Sequence, residues 1–249
     1  MLLIYLDQSR DFAEMRIHGY QAGPRWQGVR LNIALITSYL DPSVKTAIDV
    51  GSNEGIITCA MSELGVEAKG FEQAKRYHNR ANSLSRYLNR GTTFENRLIT
   101  FSDIDQMDDV DAIVLLSVHH QIATHSSLEE ANCFLRALCR KAKYQLFFQP
   151  ACIKAKYGCD VPFSDNDYCA IEAYFNSVVK AEMPYSKTVG LVQNDMPKSE
   201  PLRPMIVYSR EPTMMREHRD AAGVLKVVGA AVDKVHSFGN QFFNFKLPV

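Results

Sequence analysis

Between Thr46 and Thr58 the chain reads Thr-Ala-Ile-Asp-Val-Gly-Ser-Asn-Glu-Gly-Ile-Ile-Thr, and few folds accept such a run. Ala47, Ile48 and Val50 form a short apolar stretch of the kind a strand buried on both faces requires. Gly51 and Gly55 follow where the backbone has to turn sharply. Ile56, Ile57, Ala60, Met61 and Leu64 then recur at helical spacing, and Gly65 stands where a C-cap glycine belongs. Strand, tight turn and helix in that order aim free backbone N–H groups and the positive end of a helix at whatever lies above a sheet. The run therefore outlines a cofactor site in an α/β protein.

The glycine spacing narrows the cofactor. A dinucleotide site uses G-x-G-x-x-G and a P-loop uses Gly-Lys-Ser/Thr, whereas this chain has Asp49-x-Gly51-x-x-x-Gly55. Glu67-Ala-Lys-Gly-Phe-Glu72 follows as a second short strand ending in a carboxylate, 17 residues past Gly55, room for one helix and one strand. This two-part pattern resembles motif I and the second-strand acidic residue of class I S-adenosylmethionine-dependent methyltransferases. The resemblance implies that Asp49, Gly51, Ser52, Asn53 and Gly55 wrap the amino-acid end of the cofactor and that Glu72 holds the ribose hydroxyls. It further implies that Asn96, Arg97 and Leu98, after the third strand, border the adenine ring, with Asp103 as the acidic residue often found near there.

Lys plus Arg and Asp plus Glu each number 28, so the net charge gives no basic face for holding nucleic acid. The six cysteines include no Cys-x-x-Cys pair and no zinc-like His spacing, which fits reduced thiols in a cytoplasmic protein without a metal site. The apolar start Met1 to Leu6 is too short for a membrane span and lacks the basic flank of a signal peptide. At 249 residues one sizeable domain is expected.

Residues 1–23 read as an N-terminal arm, 24–210 as the cofactor-binding domain and 211–249 as an extension. Pro24 suits the first turn of a helix whose stripe is Trp26, Val29, Ile33, Ile36 and Leu40. Arg25 and Arg30 on that helix are solvated surface by composition; the family resemblance makes them candidates for gripping an anionic substrate. The third strand and the loop after it are expected within 92–99, a central apolar strand at 112–116 and a fifth strand at 144–150, with helices at 73–90 and 129–143. After a helix at 167–176, Ser177–Met183 and Met205–Ser209 are expected as the last two strands, joined by a long connection over 184–204. The whole is a doubly wound, Rossmann-like, mostly parallel seven-stranded sheet with a C-terminal antiparallel hairpin.

Asp111-Ala-Ile-Val-Leu-Leu-Ser-Val-His-His-Gln121 is the second informative stretch. Ligands in open α/β sheets bind outside the carboxyl ends of the strands, which places Ser117 at the cofactor and His119, His120 and Gln149 near an acceptor. One histidine is a candidate general base or substrate contact and the other packs against the following helix; His119, first after the strand, is favoured for the former. Leu116-Ser-Val-His-His-Gln-Ile122 with Leu202-Arg-Pro-Met-Ile-Val-Tyr-Ser209 resembles the methyltransferase module of bacterial enzymes that cap O-antigen chains by methylating a terminal phosphate. The kinase segment of those enzymes has no counterpart within these residues. The resemblance implies O-methylation of a saccharide, phosphate or other small polar acceptor. RNA or nucleotide-end methylation and a non-catalytic cofactor-fold binding protein are the alternatives. Phe238, Phe242, Phe243 and Phe245 concentrate aromatic surface in the extension, which is expected to fold back on the domain or to pack on a second copy of the chain.

Overall fold

A computed structural model of the chain describes residues 24–89, 91–192, 202–216 and 227–228, the first four by their backbone alone. The elements run α1 (Pro24–Tyr39), β1 (Thr46–Val50), α2 (Ile56–Glu63), β2 (Glu67–Phe71), α3 (Lys75–Leu88), β3 (Thr93–Glu95) and α4 (Phe101–Gln106). Then follow β4 (Val110–Leu116), α5 (His119–His125), α6 (Leu128–Lys141), β5 (Ala142–Gln149), α7 (Tyr168–Val179), β6 (Tyr185–Val192) and β7 (Arg203–Ser209). The strands form one sheet in the order β3-β2-β1-β4-β5-β7-β6. β3, β2, β1, β4 and β5 are parallel, while β7 lies antiparallel to both β5 and β6. This is the doubly wound sheet with an antiparallel end that the sequence predicts.

Period-two alternation sorts the central strand between two cores. Ile113 and Leu115 of β4 pack with α5, α6 and α7 residues such as Leu135 and Phe175, and Ala112 and Val114 pack on the opposite face with Ile36 and Leu40. All four are fully buried, as a parallel strand covered on both faces must be. The direction of strand order reverses between β1 and β4, which puts the switch point above the glycine turn.

Two expectations need correction. Ser177–Met183 is not a strand: α7 continues through Val179, and Ile171, Phe175 and Val179 form its buried stripe at four-residue intervals. Its N-cap is Asp167, whose carboxylate accepts from the Ala170 N–H at 3.0 Å. The sixth strand is Tyr185–Val192, inside the stretch expected to be a connection. The N-terminal arm and the aromatic tail, with the expected self-association through it, lie outside the described residues. Among the described residues no helix is long and apolar enough to cross a membrane.

Candidate functional site

The β1–α2 turn is built from left-handed backbone. Gly51 and Gly55 both have φ of 74° and Asn53 has φ of 51°. The N–H groups of Gly51 and Ser52 donate to the Phe71 carbonyl at 2.9 and 3.0 Å, which ties the turn to the end of β2. A Cβ at Gly51 would lie 2.5 Å from Val118 Cγ2, and one at Gly55 would lie 2.5 Å from the Phe94 ring. Both glycines thus answer to backbone conformation and to a close approach by another part of the chain.

Glu72 follows β2 and is 8% exposed. Its Oε2 accepts from the Asn53 N–H at 2.9 Å and its Oε1 from the Ala74 N–H at 2.7 Å. Each carboxylate oxygen still has a second lone-pair direction for a ligand hydroxyl. The Ser52 hydroxyl is buried in the same turn and has no hydrogen-bond partner among the described residues. Asp49 sits behind the turn: it is 3% exposed, and the Thr58 hydroxyl donates to it at 2.7 Å. Burial pushes its pKa up to about 7, the Thr58 bond opposes that, and the nearby Glu72 charge adds to it.

The loop after β3 is tied to the same corner. The Asn96 side-chain amide donates to the Glu72 and Gln73 carbonyls at 2.8 and 3.0 Å. The Arg97 guanidinium lies 4.9 Å from the centre of the Phe71 ring and pairs with Glu95 and Asp103. Asp103 also accepts from the Thr100 N–H and hydroxyl, closing a capping box on α4, so its carboxylate belongs to that helix and to Arg97. Leu98 is 58% exposed. Glu54, within the glycine turn, pairs with Arg80 of α3.

At the carboxyl ends of β4, β5 and the start of β7, side chains do the joining. Ser117 has φ of 59°, an unusual value for a residue other than glycine. Its N–H donates to the Gln149 carbonyl at 3.0 Å and its hydroxyl to Gln149 Oε1 at 3.2 Å. Arg203 Nη1 donates to the Ser117 hydroxyl at 2.7 Å, and Gln149 Nε2 donates to Asn32 Oδ1 of α1 at 3.0 Å. Gln149, expected as a substrate contact, is fully buried and braces this network. Asn32 and Arg203 are the members that site reasoning from the sequence missed.

The expectation that His119 faces the acceptor is corrected. α5 begins at His119, so its first side chain turns back toward the core and does not extend beyond the sheet edge. His119 is fully buried, with its ring edge-on to Phe148, Tyr157 and Phe175 at centroid distances of 5.7, 5.9 and 5.0 Å. Its Nε2 lies 3.2 Å from Asn132 Oδ1. Burial drives its pKa down to about 4, the Asn132 bond opposes that, and His120 adds to the depression. His120 is 8% exposed, 6.1 Å from the Tyr157 ring centre. Arg30 is half-buried on α1; Arg25 lies in the first turn of the same helix, and its side chain is outside the described residues.

The sheet, parallel in the order 3-2-1-4-5 with a seventh strand inserted antiparallel before the sixth, has the Rossmann-like fold of solved methyltransferase structures. Solved structures with this fold include the bifunctional kinase-methyltransferase WbdD, 17% identical, with a TM-score of 0.56 over 76% of this chain and 42% of that one. Magnesium protoporphyrin IX methyltransferase (ChlM) from Synechocystis PCC 6803 with bound SAM is 14% identical, with a TM-score of 0.57 over 82% of this chain and 93% of that one. The same enzyme with bound SAH superposes with a TM-score of 0.53. The chain thus spans less than half the length of WbdD. No family model and no curated protein matches the chain.

Proposed function

We propose that the chain is an S-adenosylmethionine-dependent methyltransferase acting on an oxygen of a saccharide, phosphate or other small polar acceptor. The observation that carries this reading is Glu72 beside the glycine turn at the topological switch point, with its carboxylate held by the Asn53 and Ala74 N–H groups. The orphaned, buried Ser52 hydroxyl supports a polar ligand at the same turn.

S-Adenosylmethionine supplies an electrophilic methyl group on a sulfonium sulfur. In this reading Glu72 holds ribose hydroxyls, Gly51, Ser52, Asn53 and Gly55 receive the amino-acid end, and Asn96, Arg97 and Leu98 border the base. Asp49 acts from behind the turn through Thr58. Ser117 and His120 stand at the neighbouring strand ends, where the acceptor would lie, with Arg25 and Arg30 on α1 as further candidates for its charge. Catalysis of this kind is largely alignment of the acceptor oxygen with the methyl–sulfur bond.

The test is incubation of the full chain with S-adenosylmethionine labelled in the methyl group and separate panels of phosphorylated saccharides, plain saccharides, small carboxylates and RNA. Label on a small polar acceptor is the expected result. Label on RNA alone, or tight S-adenosylhomocysteine binding with no transfer to any panel, would overturn it.

A further inference from the structure

Beyond β7 the chain stays on the domain. Ser209 leads into a 3₁₀ turn at Pro212–Met215, and that turn is fastened to the C-terminal end of α1. The Gln145 side-chain amide, fully buried on β5, donates to the Tyr39 carbonyl at 2.9 Å and also to the Met214 carbonyl. Lys187 of β6 donates to the Met215 carbonyl at 3.4 Å and lies 4.8 Å from the centre of the Tyr39 ring. Met215 itself packs in one apolar cluster with Leu35, Ile36 and Tyr39 of α1. Farther along the extension Val227 and Val228 are helical, and the two neighbours differ: Val227 is 44% exposed and Val228 is fully buried. Val228 sits with Ile33 and Ala34 of α1, with Ile56, Cys59 and Ala60 of α2, and with Leu84 of α3. This seat adjoins the glycine turn. Ile56 directly follows Gly55, and Thr58 on the same helix donates to Asp49 behind the turn. α1 reaches the other strand ends from the same stretch, since Asn32, next to Ile33, accepts from Gln149. An apolar side chain enclosed by three helices keeps water from all of them and resists their separation.

We propose that the groove between α1, α2 and α3 is the docking surface of this chain's own C-terminal extension, and that Val228 is a positioning residue that holds α1 and the start of α2 around the glycine turn. The positioning half rests on the methyltransferase reading of that turn; the docking half does not. The occupant follows from contact and from reach. Val228 of the same chain is seated in the groove, and the extension is already tied to the far end of α1 through Met214 and Met215. The link from Arg216 to Val227 can span up to about 36 Å, while Tyr39 and Ile33 are about 9 Å apart along α1, so the chain closes on itself without strain. A segment on so short a link meets its own groove at an effective concentration of about millimolar, well above that of a second copy in ordinary solution. Linkage then runs both ways: a cofactor bound more tightly with the seat filled must in turn hold the extension more tightly.

The experiment uses the full chain and reads backbone amide exchange and S-adenosylhomocysteine affinity in the wild type, Val228→Asp and Val227→Asp. Val228→Asp puts a charge into the seat and is expected to speed exchange over 29–36 and 56–61 by about 10-fold or more, with α6 and α7 on the opposite face of the sheet unchanged. S-Adenosylhomocysteine affinity, measured by calorimetry per folded molecule, is expected to fall by about 10-fold, which a loss of stability alone would not impose on the folded fraction. Val227→Asp alters the exposed neighbour and is expected to keep both readings within about twofold of wild type. Should Val228→Asp fail to fold, Val228→Ala removes two methyl groups from the seat and is expected to speed exchange there by about threefold. Equal behaviour of the Val227 and Val228 variants, wild-type exchange in a folded Val228 variant, or wild-type S-adenosylhomocysteine affinity in one whose seat exchanges faster overturns the proposal. So does protection of the seat that falls on dilution, because a second copy's extension would then fill the groove. Absence of S-adenosylhomocysteine binding by the wild type overturns the methyltransferase reading and the positioning half with it, while exchange in the free chain still decides the docking.

Discussion

At the β1–β2 edge the structure is tied together by backbone: Gly51, Asn53 and Gly55 hold left-handed conformations, and the Glu72 carboxylate is seated on two N–H groups. At the β4–β5–β7 edge it is tied together by side chains, with Ser117, Gln149, Asn32 and Arg203 bonded in series. The two edges also bury opposite ionisable groups, the Asp49 carboxyl behind the first and the His119 imidazole behind the second. A backbone site tolerates change in most side chains and fails when a glycine is lost. A side-chain network keeps its backbone and loosens one residue at a time.

Gly51→Val should separate the two edges most sharply. A branched residue at φ of 74° costs about 1–3 kcal/mol in strain, and the clash with Val118 costs about 1–3 kcal/mol more. S-Adenosylhomocysteine affinity should fall by about 100-fold or be lost by calorimetry, with a lower denaturant midpoint. Wild-type affinity in this variant would show that the turn is not the cofactor site.

The buried pair gives opposed pH dependences. His119, shifted from 6.5 to about 4, is destabilising as pH falls through that window, because the unfolded chain then binds the extra proton; the full effect is about 3 kcal/mol. Asp49, shifted from 3.8 to about 7, is destabilising as pH rises through its window, because the folded chain holds a proton that the unfolded chain has lost; the full effect is about 4 kcal/mol. Between about pH 4 and 6.5 the two oppose each other in the wild type. In His119→Phe, unfolding free energy should fall with rising pH across that range, and in Asp49→Asn it should rise. Parallel curves for both variants and the wild type would contradict these assignments. Turnover per folded His119→Phe molecule should stay within about twofold of wild type, against the 10²–10⁴-fold loss of a general base.

Glu72→Ala should weaken S-adenosylhomocysteine by about 1–3 kcal/mol in calorimetry. Wild-type affinity in this variant would show that the carboxylate holds no part of the cofactor. Arg80→Ala is the smallest change. Its pair with Glu54 is partly exposed, with side chains 32% and 19% accessible, and such pairs are worth about 0.2–1 kcal/mol, so cofactor affinity should drop by no more than about fivefold.

The same contrast explains what the sequence made legible. Asn53 and Glu72 are 19 residues apart, and glycine spacing with one carboxylate is a local pattern that the chain displays directly. Arg203 and Ser117 are separated by 86 residues and Gln149 and Asn32 by 117, so only the tertiary fold brings them together. Arg203 was visible as the start of Arg-Pro-Met before a buried strand, yet nothing local tied it to Ser117. The orientation of His119 depended on where α5 begins, which a one-residue reading of the strand end does not determine. Ser177-Val-Val reads as strand by β-branched content, and the competing signal was the Ile171, Phe175, Val179 stripe at helical spacing. Tyr185–Val192 was hard to see as a strand because Lys187 and Gly190 interrupt it; a Cβ at Gly190 would meet the end of the Leu35 side chain of α1 at 2.7 Å.

Calorimetric titration of the wild-type chain with S-adenosylmethionine, S-adenosylhomocysteine and NAD in turn separates the possible occupants of the β1–β2 edge. Saturable heat with both sulfur compounds, at one site per chain, and none with NAD is the expected result. Heat with NAD and none with either sulfur compound would contradict the assignment of Glu72 and the glycine turn.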